Sequence, residues 1–166
     1  ASVTLLLSTL STPIGNLNLI ADEHVLLAAN LSNLKALKES LSQEDSERDM
    51  KSVSRIPIIS DLISDYFEGD IAALNAISVR QPGAHFSQEA WKAMKKVKAG
   101  KVISYGELAE RAGSPAAVRA AGSACAKNAI VLIVPCHRIV KTGGALGNYA
   151  YGLDKKAWLL RHEGAL

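Results

Sequence analysis

Residues 130–139 constrain the fold of this chain more than any other segment. The first five are apolar and mostly β-branched, which is typical of a buried strand. Pro135 has no backbone N–H to donate, so we predict that the strand ends there. Cys136, His137 and Arg138 follow in succession. A side chain at the end of a buried strand is rigidly held yet faces an opening, so we predict that Cys136 is a nucleophile.

His137 is the expected partner of this thiol. Only a few per cent of a free thiol is ionised near neutral pH, and a nearby imidazole can take its proton or stabilise the thiolate. Neighbouring side chains on a straight strand point to opposite faces, so cooperation with Cys136 requires the backbone to turn at Pro135. Taken singly, the three residues also fit packing roles: an inert buried cysteine, a satisfied core histidine and an ion-pairing arginine.

The composition excludes several classes of protein. The chain has 166 residues, of which 48% are hydrophobic and 21% charged, as in ordinary soluble globular proteins. That length allows one domain or two small ones. No apolar run reaches the roughly 18 residues that a membrane-spanning helix needs. Residues 1–7 lack a basic start and a long apolar segment, so we expect no secretory signal.

Cysteine usage favours a reducing compartment. The sequence contains two cysteines, Cys125 and Cys136, so we expect no disulfide framework and predict a cytoplasmic protein. With Cys136 assigned to chemistry, Cys125 and scattered histidines are too few ligands for a structural zinc site. We therefore predict neither a bound metal nor another cofactor.

Charge is distributed unevenly along the chain. Residues 1–85 contain six Lys and Arg against eleven Asp and Glu, a balance of −5. Residues 86–166 contain thirteen against five, a balance of +8. This asymmetry indicates that the second half meets a polyanion such as DNA. A solvated basic surface without a partner would have the same composition.

The first half is predicted to be a small α+β domain with an antiparallel sheet. Three strands and two helices are expected, over residues 3–10, 15–21 and 25–31 and over residues 33–41 and 57–67. The polar stretch at residues 42–54 is predicted to be a loop. Residues 81–84, Gln-Pro-Gly-Ala, are the predicted connection between domains at 1–80 and 86–166.

The second half is predicted to be mainly helical. Apolar residues recur at helical spacing over residues 86–97. Ser104 and Glu107 have the spacing of a capping box, so a helix should start after Ser104 and end near Gly113. A last helix is expected over residues 154–162.

A helix-turn-helix candidate lies between these segments. Ser114-Pro115 has the pattern of a cap followed by a first-position proline, so a second helix should run to about Lys127. Nearly all side chains of residues 116–126 are small, with Arg119 standing out. Such a helix can approach another surface closely, either a neighbouring helix or DNA.

Three ordered motifs carry a resemblance to a known family. Ser104-Tyr-Gly-Glu107 precedes the cysteine, Val134-Pro-Cys-His-Arg-Ile139 contains it and Gly147-Asn-Tyr149 follows it. With this order and spacing, the second half resembles the O6-alkylguanine-DNA alkyltransferases, or methylated-DNA–protein-cysteine methyltransferases. The first half resembles them only at Ser11-Thr-Pro-Ile-Gly15 and Tyr66-Phe-Glu-Gly69. The resemblance implies a ribonuclease-H-like first domain and a helix-turn-helix second domain.

The resemblance also implies a reaction and the residues that perform it. Members of this family repair double-stranded DNA by moving an alkyl group irreversibly from guanine O6 onto their own cysteine, here Cys136. Glu163 would orient His137, and His137 would polarise the thiol, directly or through water. Tyr105 matches the residue that helps rotate the target nucleotide and is the expected proton donor to the leaving guanine. Flipping is required because a rigid thiol cannot reach a base edge inside the stack.

The resemblance assigns further residues to DNA and to the base pocket. The residues expected at DNA are Ser114, Ala117, Arg119, Ala120 and Asn128, and those expected at the pocket are Ile139, Tyr149, Ala150 and Tyr151. Arg119 would fill the gap that the flipped guanine leaves in the stack. Asn128 matches a hinge before the active-site strand, although it also fits a helix C-cap. Tyr151 replaces a glycine of some members, so its bulk should narrow the pocket.

Two other classes of function stay open. One is a catalytically silent helix-turn-helix protein that binds DNA or senses damage, as relatives without the cysteine do. The other is a thiol hydrolase, since Cys, His and Glu can serve acyl transfer, although no oxyanion-hole pattern supports it. The expected partner is duplex DNA containing O6-alkylguanine, with no membrane and no obligate protein partner.

Overall fold

The structure is a computed structural model that describes residues 3–166. Ala1 and Ser2, where the expectation about a secretory signal begins, lie outside the described residues. The chain divides into two compact units. Unit 1 runs to Pro82 and also includes residues 129–133, and unit 2 comprises Gly83–Asn128 and Val134–Leu166. None of the helices in the described part has the length and apolar character that crossing a bilayer requires.

Unit 1 is built on a five-stranded sheet with the strand order β4-β1-β2-β3-β5. The strands are β1 (Leu5–Thr12), β2 (Gly15–Asp22), β3 (Val25–Asn30), β4 (Met50–Ser52) and β5 (Ser78–Val79). Successive strands β1, β2 and β3 pair antiparallel through tight turns, as predicted. The α+β class is confirmed, but the sheet is mixed, because β4 and β5 add to its edges in parallel.

The helices of unit 1 are α1 (Leu34–Glu39), α2 (Gln43–Ser46) and α3 (Ile59–Phe67). The loop predicted at residues 42–54 is wrong, because α2 and β4 lie within it. The Ser42 side chain accepts a hydrogen bond from the Asp45 N–H and caps α2. Backbone bonds from Leu5 N–H to the Asp49 carbonyl and from Val53 N–H to the Leu7 carbonyl hold β4 against β1. These elements are short and polar, so hydrophobic periodicity does not reveal them.

The strand predicted immediately before Pro135 is also wrong. All five of its residues are buried, but Ile130 makes a single parallel bridge with Ala29 and no strand follows. Leu132 has a φ of 76°, and the Ile133 N–H donates to the Val131 carbonyl at 2.9 Å across a γ-turn. The apolar composition therefore predicted burial correctly, whereas the backbone turns instead of extending.

Unit 2 contains helices α4 (His85–Lys95), α5 (Tyr105–Arg111), α6 (Val118–Ala126) and α7 (Leu153–His162). Strands β6 (Ile103–Ser104) and β7 (Ile139–Val140) pair in parallel. Trp91 of α4 is buried, and its Nε1 donates to the Ala124 carbonyl of α6 at 2.9 Å. This bond and the packing around it fix α6 against the body of the unit.

The Ser104 half of the predicted capping box is confirmed, since the Ser104 hydroxyl accepts from the Glu107 N–H at 3.1 Å and caps α5. Gly113, with a φ of 97°, lies just past the end of the helix, as predicted. The predicted start of α6 at Ser114-Pro115 is wrong. The Ala117 N–H donates to the Ser114 carbonyl in an isolated turn, and Ala117 leaves the helical region with a ψ of 45°. The helix consequently begins at Val118.

Candidate active site

The backbone turns at Pro135, as cooperation between Cys136 and His137 requires. Pro135 has φ −83° and ψ 67°, and the Cys136 N–H donates to the Val134 carbonyl at 2.8 Å, which defines an inverse γ-turn. A 3₁₀ turn over Cys136–Arg138 follows. This double turn replaces the alternation of a straight strand, so that Cys136 lines the cavity while His137 and Arg138 both contact Glu163.

Glu163 links the two residues that follow the cysteine. His137 Nε2 lies 2.8 Å from Glu163 Oε2. Arg138 donates from Nε to Oε1 at 2.8 Å and from Nη2 to Oε2 at 3.0 Å, and its Nη1 donates to the Val97 carbonyl at 2.7 Å. All three side chains are buried. The predicted contact of Glu163 with His137 is present, and a buried, bidentate arginine holds the same carboxylate.

The protonation states of this triad follow from its contacts. Burial alone would raise the pKa of Glu163, but hydrogen bonds from His137 and Arg138 outweigh it and hold that pKa far below its usual value. Burial lowers the pKa of His137, so its imidazole is neutral at pH 7. A carboxylate can only accept, so Nε2 of His137 carries the proton. Nδ1 is then the basic nitrogen, and it is buried without a hydrogen-bond partner among residues 3–166.

Asn128 holds the cysteine from the other side. Its Nδ2 donates to the Val134 carbonyl at 2.8 Å and lies 3.5 Å from the Cys136 sulfur. Burial raises the pKa of Cys136, opposed by the Asn128 hydrogen bond and the positive charge of Lys156. The thiol is therefore protonated at neutral pH and needs a base. Asn128 was assigned to DNA binding, and the contacts described for it are with the Cys136 thiol and the Val134 carbonyl.

A cavity of about 750 Å³ opens beside Cys136 in unit 2. Its lining residues are Tyr105, Val118, Arg119, Gly122, Ser123, Cys125, Ala126, Cys136, Lys141, Asn148, Tyr149 and Ala150. The predicted acceptor, proton donor and stack filler thus share one cavity with two of the four predicted pocket residues. A volume of this size can hold a purine base with a small substituent.

Two predicted pocket residues are not among the residues that line the cavity. Ile139 is fully buried, and its carbonyl accepts a hydrogen bond from Lys156. Tyr151 is half-buried, with its ring edge-on to Tyr149 at a centroid distance of 5.9 Å. Their role in a base pocket therefore stays a prediction. Tyr151 contacts Tyr149, which does line the cavity.

Of the remaining residues assigned to DNA, three lie outside the cavity and one lines it. Ser114 and Ala117 belong to the turn before α6, and Ala120 is exposed on the helix surface. Arg119 is exposed and also lines the cavity. The exposed surface of α6 is therefore composed of Val118 and small side chains around one arginine, which permits close approach of another molecule.

Tyr105 begins α5 and lies against the loop that follows β7. Burial raises the pKa of Tyr105, and negative charge on Cys125 or Cys136 would raise it further, so the phenol stays protonated and can donate. Gly147 has a φ of 77°, and a Cβ at that position would lie 3.1 Å from the Tyr105 ring and hydroxyl. The glycine therefore allows the loop to approach the phenol closely.

Lys156 is the most informative residue that the sequence did not reveal. It is fully buried, and its Nζ donates to the carbonyls of Ile139 at 2.7 Å and Asn148 at 3.1 Å. Burial lowers its pKa. The spacing of 156, 160 and 163 along α7 places it on the same helix face as Glu163, and this spacing was the signal that could have found it.

Cys125 is a second thiol in the cavity wall. Burial, together with the neighbouring Cys136, raises its pKa to about 12. A thiol with such a pKa is almost entirely protonated at pH 7 and is a poor nucleophile. No base contacts Cys125 in the described part of the chain. Cys136, in contrast, directly precedes His137 in sequence and lies 3.5 Å from Asn128 Nδ2.

Comparisons with known proteins agree with this geometry. Residues 85–165 match the family described as 6-O-methylguanine DNA methyltransferase, DNA binding domain. A methylated-DNA–protein-cysteine methyltransferase of Salmonella typhimurium is 37% identical over 98% of this chain and 97% of its own length. A protein of the same name from Methanosarcina acetivorans is 34% identical, over 93% and 95%. The crystal structure of Mycobacterium tuberculosis OGT in complex with DNA aligns with a TM-score of 0.78 at 30% identity, covering 96% of this chain and 93% of that chain.

Proposed function

The chain belongs to the methylated-DNA–protein-cysteine methyltransferase family, and on that premise we propose that Cys136, His137, Glu163 and Tyr105 perform its reaction. The protein repairs O6-alkylguanine in double-stranded DNA by transferring the alkyl group to its own cysteine. The observation that carries the assignment is a thiol at a base-sized cavity with a buried His–Glu pair next to it in sequence.

His137 is the general base in this proposal. The neutral imidazole takes the Cys136 proton on Nδ1, directly or through water, while Glu163 stabilises the imidazolium as it forms. The sulfur then attacks the alkyl carbon, forming the S–C bond as the C–O6 bond breaks. Because the free thiol has a raised pKa, deprotonation has to accompany substrate binding and is not complete beforehand.

Tyr105 supplies the proton that the leaving guanine needs. Its phenol is protonated at neutral pH and lines the cavity with Cys136. The proton left on the imidazole restores the phenol after transfer, directly or through solvent, so the net change is thiol to thioether and alkylguanine to guanine. A thioether is not hydrolysed by these groups, so each chain reacts once.

The helix-turn-helix of unit 2 delivers the damaged base. We assign the small, exposed surface of α6 to the minor groove and Arg119 to the gap that the flipped nucleotide leaves in the stack. Ser114, Ala117 and Ala120 flank that contact, and Asn128 joins the helix to the acceptor. All cavity residues lie within residues 83–128 and 134–166, which supports a DNA-binding and acceptor domain at 86–166 beside a domain at 1–80.

We also propose that the protein works in the cytoplasm. An acceptor thiol has to stay reduced until it meets its substrate. Both cysteines, Cys125 and Cys136, are free thiols, which suits a reducing compartment.

Mass spectrometry after incubation with duplex DNA containing O6-methylguanine tests the function. Wild-type protein should retain one methyl group per chain, and Cys136→Ala should retain none. Cys125→Ala should still accept one methyl group, since its thiol lacks a base. Turnover without an adduct would establish a hydrolase, and DNA binding without any transfer would establish a binding-only protein.

A further inference from the structure

Two exposed cations line the cavity, and only one has a role in the reaction so far. Arg119 comes from α6, and Lys141 follows directly after β7. None of the lining residues is an Asp or a Glu. The cavity wall is therefore positive. Lys141 contributes to that charge without contacting His137, Arg138 or Glu163.

The backbone of Lys141 is fixed in a tight turn. Its N–H donates to the Ala145 carbonyl at 2.8 Å, and its carbonyl accepts from the Gly144 N–H at 3.0 Å. The lysine stem passes close to Gly147, where an added Cβ would lie 3.5 Å from Lys141 Cγ. The side chain thus starts from a defined position beside the glycine that packs on Tyr105.

The ammonium group of Lys141 is available to a ligand. The residue is exposed, and no ion pair or hydrogen bond of its side chain occurs among residues 3–166. A lysine that supported the fold would have a carboxylate or carbonyl partner, as Lys156 has with Ile139 and Asn148. The cavity receives part of a DNA strand, which is a polyanion. An unpaired ammonium group at its wall is therefore suited to bind a phosphate of that strand.

We propose that Lys141 binds a backbone phosphate next to the flipped nucleotide and so positions the base in the cavity. This inference rests on the proposed function. A flipped nucleotide stays joined to the duplex through its two phosphates, so these phosphates have to come to the cavity mouth with it. A lysine ammonium binds phosphate as a point charge. Lys141 is therefore a positioning residue, distinct from Arg119, which occupies the stack.

One substrate of the test carries phosphates and the other carries none. One is a short duplex containing O6-methylguanine, and the other is free O6-benzylguanine base. Lys141→Ala should lower the rate constant for the duplex on the order of tenfold and reduce the slope of log rate against log salt by about one unit. The free-base rate should stay within about twofold of wild type, since that substrate offers no phosphate to the ammonium.

Two further variants separate charge from structure. Lys141→Arg keeps the charge and should restore most of the duplex rate. Lys101→Ala removes an exposed lysine of the same unit that does not line the cavity, and it should leave the free-base rate and the salt slope close to wild type. Equal losses on both substrates would overturn the proposal, because Lys141 would then contact the base or support the wall. An unchanged duplex rate and salt slope would also overturn it. Failure of the wild-type protein on both substrates would instead overturn the function on which the proposal rests.

Discussion

Nε2 of His137 and Oε2 of Glu163 lie 2.8 Å apart, with both side chains completely buried. This contact determines which imidazole nitrogen is basic, because the ionised carboxylate can only accept. Arg138 holds the opposite side of the same carboxylate. The orientation of the base therefore depends on a charge balance among three buried groups, and changes to any one of them should affect both rate and stability.

Glu163→Gln should slow methyl transfer by roughly tenfold or more, because the amide stabilises an imidazolium less than a carboxylate does. It should also lower the free energy of unfolding by roughly 3 kcal/mol, since Arg138 would keep a buried charge without a counter-charge. Single-turnover kinetics and chemical denaturation measure the two effects. The double variant with Arg138→Met should recover part of the stability while the transfer stays slow. Recovery of the rate as well would reduce Glu163 to a structural residue.

The stability of the protein should fall as the pH is lowered from about 7 to about 5. The folded-state pKa of His137 lies below its ordinary 6.5. As the pH falls through this range, the imidazole therefore binds a proton more readily in the unfolded chain, which stabilises the unfolded state relative to the folded one. Glu163 acts in the same direction only below its ordinary 4.5. Denaturation at several pH values measures the free energy of unfolding. Between about pH 7 and pH 4.5, this free energy should fall less steeply with decreasing pH for His137→Gln than for wild type. Identical slopes would contradict the burial of a neutral imidazole.

Lys156→Met should raise the pKa of Cys136, because the positive charge that favours the thiolate is removed. The pH dependence of Cys136 alkylation by iodoacetamide measures this, in a Cys125→Ala background that leaves one thiol. Lys155→Met is the matched control, since this neighbour is not buried. A pKa shift of equal size in both variants would mean that the effect is a general loss of charge.

Gly147→Ala should slow transfer from both duplex and free base. The new Cβ would press on the Tyr105 ring and hydroxyl at 3.1 Å, and the positive φ adds about 1 kcal/mol of backbone strain. Gly143→Ala is a close control, because Gly143 also has a positive φ but nothing lies within 4 Å of its Cβ position. Similar rates for the two variants would show that backbone strain at a positive φ, and not contact with Tyr105, slows the transfer.

Tyr151→Gly should increase the rate of benzyl transfer relative to methyl transfer. Tyr151 packs edge-on against Tyr149, so its removal lets the cavity wall yield to a larger group. A packing change of this kind corresponds to about 1–3 kcal/mol, or roughly 5- to 150-fold in relative rate. Tyr151→Phe keeps the ring and should behave like wild type. An unchanged ratio of the benzyl and methyl rates in the glycine variant would show that Tyr149 does not move when the Tyr151 ring is removed.

Short-range sequence patterns correctly predicted those helix ends that are stabilised by residues close in sequence. The cap of α5 rests on Ser104 and Glu107, three residues apart, and could be read directly. The residues around Pro135 behaved differently. Their apolar character predicted burial, but Ile130 bridges to Ala29, a residue about a hundred positions away in sequence, and the backbone then turns at Leu132. Propensity carries no information about such a distant partner.

Site residues that belong to recognisable sequence motifs were predicted correctly. A site residue whose position depends only on tertiary packing was missed. Cys136, Tyr105, Arg119 and Tyr149 line the cavity as expected. Lys156 escaped because a lysine is almost always expected at the surface, and its burial depends on two carbonyls that the fold brings to it.

The carboxylate of the site is hidden from the cavity that it serves. Glu163 acts through the His137 ring, and no Asp or Glu is among the residues lining the cavity. An approaching DNA strand therefore encounters Arg119 and Lys141, while the negative charge needed to stabilise the base stays on the far side of a neutral imidazole. The protein in this way keeps the carboxylate that orients its base away from an anionic substrate.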